Sequence, residues 1–85
     1  MKTNGWYVYI LECADKTLYT GITTDLDRRI DEHNTSSKGA KYTRTRRPVY
    51  LAYFESTEDR SSASKREKEI KNLSRKEKLD LIRYF

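Results

Sequence analysis

At 85 residues the chain makes one small domain, residues 1–85, which buries only about 60–65% of the surface its unfolded form exposes. Charged residues make up 36% and hydrophobic ones 35%, yet 12% aromatics argue for a packed core over disorder. The single Cys13 and single His33 exclude an internal disulfide and a structural zinc site, and no run of 18 apolar residues offers a membrane span.

The opening MKTNGW lacks the apolar core of a secretory signal, so a reducing cytoplasm is the expected setting. Net charge is +5, and it is unevenly placed: residues 41–85 hold 13 basic against 7 acidic side chains. Such a basic half suits a polyanion through counterion release, although it also serves solubility alone.

In chain order, residues 6–13 and 17–23 read as two strands rich in Trp, Tyr, Val, Ile, Leu and Thr. Ala14-Asp15-Lys16 between them forms a hairpin loop without the favoured glycine. Trp6, Val8 and Ile10 face one way and Tyr7, Tyr9 and Leu11 the other, so both faces of the sheet need cover. An odd loop would place Tyr7, Tyr9, Tyr19 and Gly21 on one face; an even loop would separate Tyr9 from Tyr19.

Asp25 then caps a helix over about 25–34, with Leu26 and Ile30 as its apolar stripe and Arg29 and His33 beside it. The stretch "NTSSKGAKYTRTRRP" reads as a loop with one short helical turn after Gly39. Within it, Lys41, Tyr42, Thr43, Arg44, Arg46 and Arg47 bring four positive charges, hydroxyls and a ring together with no acid. That combination suits phosphate contacts and base stacking; a merely soluble loop is the alternative.

Val49 to Phe54 reads as a third strand, begun at Pro48. From about residue 59 the pattern is helical, and Ala63, Glu67 and Ile70 share one face, which turns Glu67 inward. Ser74 and Glu77 form a capping box opening a last helix over about 75–84, packed through Leu79, Ile82 and Phe85. The expected class is α/β of the α+β type: a three-stranded antiparallel sheet flanked by helices, in the order β-β-α-(short α)-β-α-α.

Four blocks in this order resemble the GIY-YIG nuclease superfamily, and most closely its small stand-alone bacterial branch. "YVY" and "YTG" stand at the two family triplets, and "YTGITTDLDRRIDEHN" resembles the run from the second triplet into the first helix. "GAKYT" and "ASKREKEIK" resemble two further blocks. The resemblance implies a metal-dependent endonuclease hydrolysing DNA, including structured or single-stranded forms, with DNA repair among its uses.

Residue by residue, it implies that Glu67 holds Mg²⁺ or Mn²⁺, with waters and substrate phosphate completing the shell. Arg29 would contact the scissile phosphate, and Tyr9 and Tyr19 would position or deprotonate the attacking water. His33 would assist proton transfer or bind phosphate. Bland readings stand beside each: Tyr9 and Tyr19 as strand residues with satisfied hydroxyls, Arg29 on a solvated helix face, His33 as a surface or capping residue, Glu67 in an ion pair.

The chain departs from the family pattern in two places. Ile22 follows the second triplet where several family enzymes have lysine, and a late asparagine has only Asn34 and Asn72 as candidates. Two rivals to catalysis remain: a nucleic-acid-binding module on the same fold, or a protein-interaction domain using Tyr84 and Phe85. An inward Glu67 favours catalysis, because a pure binder has no use for it.

Overall fold

The structure, a computed structural model, describes residues 5–84. Seven elements follow one another: β1 Trp6–Glu12, β2 Leu18–Thr23, α1 Leu26–Thr35, α2 Lys41–Arg44, β3 Tyr50–Thr57, α3 Arg60–Lys71 and α4 Arg75–Arg83. The sheet has the order β2-β1-β3 with both pairings antiparallel. This is the expected α+β arrangement, with the short helix α2 where Gly39 ends.

Strand β1 lies in the centre because both its faces are apolar, and Val8, Tyr9, Ile10 and Leu11 are all essentially inaccessible. On one face, Val8 and Ile10 pack against Ala63 and Ile70 of α3, with Leu81 and Ile82 of α4 at the margin. On the other, Tyr9 and Leu11 pack with Cys13, Val49, Tyr19 and the α1 residues Leu26 and Ile30. Helices therefore cover both faces, as the two-sided apolar pattern requires. Among the described residues, no helix is long and apolar enough to cross a membrane.

The hairpin between β1 and β2 leaves residues 13–17 outside the pairing, an odd number, and Tyr9 stands opposite Gly21 and Leu11 opposite Tyr19. Tyr7, Tyr9, Tyr19 and Gly21 thus share one face. The turn closes through Cys13 N–H to Thr17 O at 2.9 Å and Lys16 N–H to Cys13 O at 2.9 Å. Lys16 takes the left-handed conformation, φ 71°, that a glycine would adopt without strain.

Strand β3 runs on to Thr57 instead of stopping at Phe54. Glu55 and Ser56 have no strong strand preference, but they and Thr57 each find a partner in the first half of β1. Val49 stays outside the strand: Asn34 receives its amide at 2.7 Å and donates to its carbonyl at 3.0 Å, which ties α1 to the start of β3. Asn34 is thereby a structural residue, and Asn72 caps the end of α3.

The helix ends follow their capping residues. Asp25 accepts the Arg28 amide, Asp59 accepts the Ser62 amide, and Ser74 and Glu77 form the full capping box. Arg66 donates to Glu55 at 2.6 Å, which fastens α3 to β3. Phe85, expected to pack the last helix, lies outside the described residues, while Leu79 and Tyr84 are exposed.

The strained Lys16 gives a stability prediction. Lys16→Gly should raise unfolding free energy in urea by about 0.5–1 kcal/mol, the relief of left-handed strain exceeding the added chain entropy. A loss of stability would show that Lys16 makes a compensating contact.

Candidate active site

Tyr9 is the point at which the site assembles. Its ring crosses from β1 over its cross-strand partner Gly21, and a Cβ on Gly21 would stand 2.5 Å from the Tyr9 hydroxyl oxygen. Any side chain there would push the tyrosine away. The glycine of the second triplet is required by a packed neighbour, the tyrosine of the first.

The hydroxyl of Tyr9 lies 2.7 Å from Nε2 of His33. His33 is fully buried, contrary to a surface or capping role, because α1 turns it onto Tyr9 and α2 closes over it. Its Nδ1 contacts the Thr43 hydroxyl at 3.0 Å and accepts the Ala40 amide at 3.2 Å. Burial and the Arg29 charge, with Arg47 adding to them against Glu32, push the imidazole pKa down to about 4. At neutral pH the ring is uncharged.

Three further side chains act on Tyr9. Burial first, then the neighbouring Tyr19, and last the Glu67 charge push its phenol up to about 12, while Arg29 pulls it the other way. The same interaction places the Arg29 guanidinium beside Tyr9. Arg29 is itself held by Glu32 at 2.9 Å and by the Lys38 carbonyl at 2.8 Å, with its side chain 26% exposed. Arg28 next to it is 61% exposed, as a solvated helix face requires. Tyr9, Tyr19, Arg29 and His33 thus come together from β1, β2 and α1, while Glu67 on α3 acts on Tyr9 through its charge alone.

Tyr19 packs edge-on to His33 at 5.3 Å and stacks on Tyr42 at 6.0 Å. Arg46 lies over the Tyr42 ring at 3.8 Å and is steadied by Asp15 at 3.1 Å and the Tyr42 carbonyl at 2.8 Å. A ladder of two rings and a guanidinium therefore runs from the site onto the surface. Tyr42 is partly exposed, and Lys41 and Arg44 are exposed beside it.

Two of the six residues expected to bind nucleic acid face inward instead. Thr43 is fully buried, its hydroxyl spent on Ala40 O at 2.9 Å and on His33. Arg47 donates to the His33 and Ser36 carbonyls, both at 2.6 Å, and so caps the open end of α1. Composition marks the segment as basic but carries no sign of which cation points home. Glu32, Ala40 and Asp15 were not foreseen; only the Arg29–Glu32 spacing on a helix was readable.

Glu67 lies between buried Ala63 and Ile70 but is not enclosed: its side chain is 22% exposed and pairs with Lys71 Nζ at 3.2 Å. No group of three or more His, Cys, Asp or Glu among the described residues could hold a metal ion. A single carboxylate nonetheless fits Mg²⁺, which keeps several waters and takes one or two carboxylates plus substrate phosphate. Lys71, 53% exposed, has room to swing aside.

Comparison with known proteins finds relatives along most of the chain. The profile of the GIY-YIG catalytic domain matches residues 5–80. A UPF0213 protein of Desulfotalea psychrophila is 63% identical over 78 residues, covering 92% of this chain and 71% of that one. A UPF0213 protein of Staphylococcus haemolyticus is 55% identical, covering 89% and 92%. The solution NMR structure of a UPF0213 protein from Bacillus halodurans superposes with TM-score 0.60 at 49% identity, covering 94% of this chain and 84% of that one.

Two outcomes follow from the packing. Gly21→Ala should cost about 1–3 kcal/mol in urea unfolding, because the new methyl and the Tyr9 ring cannot share the space. Stability should also fall as pH drops from about 6.5 towards about 4. Over that window the unfolded histidine takes up a proton that the folded one, held near 4, refuses. His33→Gln should flatten the urea midpoint between these values, and an unchanged slope would place the dependence elsewhere.

Proposed function

The chain belongs to the GIY-YIG family, and from that premise we propose that it is a metal-dependent endonuclease hydrolysing phosphodiester bonds in DNA. The domain is of a nuclease family whose members act on nucleic acid with a divalent metal. The specific reading is supported by the packing of Tyr9 and Tyr19 on His33, beside the Arg29 and Glu67 charges that act on the Tyr9 phenol.

Each residue has a task that its surroundings support. Arg29 keeps its charge and, held by Glu32 and Lys38, presents a fixed fork to the scissile phosphate, where it would offset charge building on the phosphoryl oxygens. Glu67 would hold Mg²⁺ or Mn²⁺, which when bound neutralises phosphate charge and orients the reacting water. Tyr9, protonated at neutral pH, is a hydrogen-bond donor towards water or phosphate in the resting site. Tyr19, half-buried on β2, would meet the same group. Lys41, Arg44, Tyr42 and Arg46 would track the flanking strand.

Purified protein with Mg²⁺ or Mn²⁺ should convert supercoiled plasmid to the nicked form. Glu67→Ala and Arg29→Ala should each lower the rate by about 100-fold or more while leaving the circular-dichroism spectrum unchanged. Equal nicking by wild type and both variants would identify a contaminant. Tyr9→Phe and Tyr19→Phe, compared at several pH values, would separate the two hydroxyls.

The Glu67–Lys71 ion pair favours a second reading, a nucleic-acid-binding module that does not cut. Steeply salt-dependent binding without cleavage in any divalent metal would select it.

A further inference from the structure

His33 has more wiring than a buried packing residue needs. Its Nδ1 receives the Ala40 amide at 3.2 Å, and an amide hydrogen can only donate. Nδ1 must therefore carry a lone pair. A proton on Nδ1 would set two hydrogens against each other and strip a half-buried amide of its acceptor.

The Thr43 hydroxyl does not decide the matter. It can give its hydrogen to Nδ1 at 3.0 Å or to the Ala40 carbonyl at 2.9 Å. The backbone amide decides, and it reaches the ring because residue 39 is glycine: a Cβ there would lie 2.8 Å from the His33 Cα and 2.6 Å from the Glu32 carbonyl. The ring is uncharged, so its one N–H hydrogen must sit on Nε2, opposite Tyr9 at 2.7 Å.

We infer that the Ala40 amide locks His33 as the Nε2–H tautomer, and that His33 donates this hydrogen to the Tyr9 oxygen, which turns the Tyr9 proton away from the imidazole. His33 is then a positioning residue. Tyr9 cannot pass a proton inward, since Nε2 is already protonated and Nδ1 is held by the amide. No proton that Tyr9 gains or loses passes through the imidazole. The functional meaning rests on the nuclease reading; the tautomer does not.

His33 is the sole histidine, so uniformly ¹⁵N-labelled full-length protein gives one imidazole pattern in a two-bond ¹H–¹⁵N spectrum. At pH 7, Nε2 should resonate as a protonated, pyrrole-type nitrogen and Nδ1 as an unprotonated, pyridine-type one. The reverse pattern, or shifts averaged between the two tautomers, would overturn the inference. In plasmid nicking, His33→Gln keeps an N–H near Nε2 and should retain about tenfold more activity than His33→Met, which has none. Equal rates in two folded variants would overturn the positioning role. A wild type that cuts no DNA would remove the nuclease reading alone, with the nitrogen spectrum still deciding the tautomer.

Discussion

The contact between Tyr9 and His33 is the constraint on which the site depends. It joins the central strand to the first helix through a 2.7 Å hydrogen bond between two buried side chains. Making it requires Gly21 opposite Tyr9, because the ring has to lie across the neighbouring strand. It also requires α2 to close over the far side of the imidazole, which Gly39, Ala40 and Thr43 accomplish. Both triplets and the glycine-containing loop are, in this sense, parts of one packing problem.

The basic second half divides along the same line. Arg47 and Thr43 are consumed in holding α1 and its histidine, and Arg46 is fixed on Tyr42 by Asp15. Lys41 and Arg44 remain exposed next to the ring ladder. A polyanion approaching this surface meets fewer mobile cations than composition implies, but meets them beside the tyrosine–arginine set. Burial that raises the Tyr9 phenol and lowers the His33 imidazole keeps both neutral, so Arg29 and Glu67 are the charged groups of the set.

Much of the fold was readable because its signals are local. Asp25 and Ser74 mark helix starts through their own side chains, and the two-sided apolar pattern of residues 6–11 demands helices on both faces. The end of β3 was not readable, since Glu55 to Thr57 join the sheet only because β1 offers partners. Nor was the hairpin parity, which depends on how many of residues 13–17 leave the ladder. Resemblance of motifs supplied the candidate residues; it could not say that Gly21 serves Tyr9 and not a substrate.

The sequence by itself determined the class of fold, the helix boundaries to within a residue or two, and the identity of Tyr9, Tyr19, Arg29, His33 and Glu67 as residues to watch. The fold class and the helix boundaries rest on periodicity and capping, which are properties of neighbours in the chain, and the five candidate residues rest on the resemblance of motifs. Only the tertiary structure decided that His33 is buried against Tyr9, that Thr43 and Arg47 face inward, and that Glu67 is mostly covered beside Lys71. Each of those turns on a partner 4 to 24 residues away. Their direction is set by packing and by the pairing of buried polar groups, which no local pattern records.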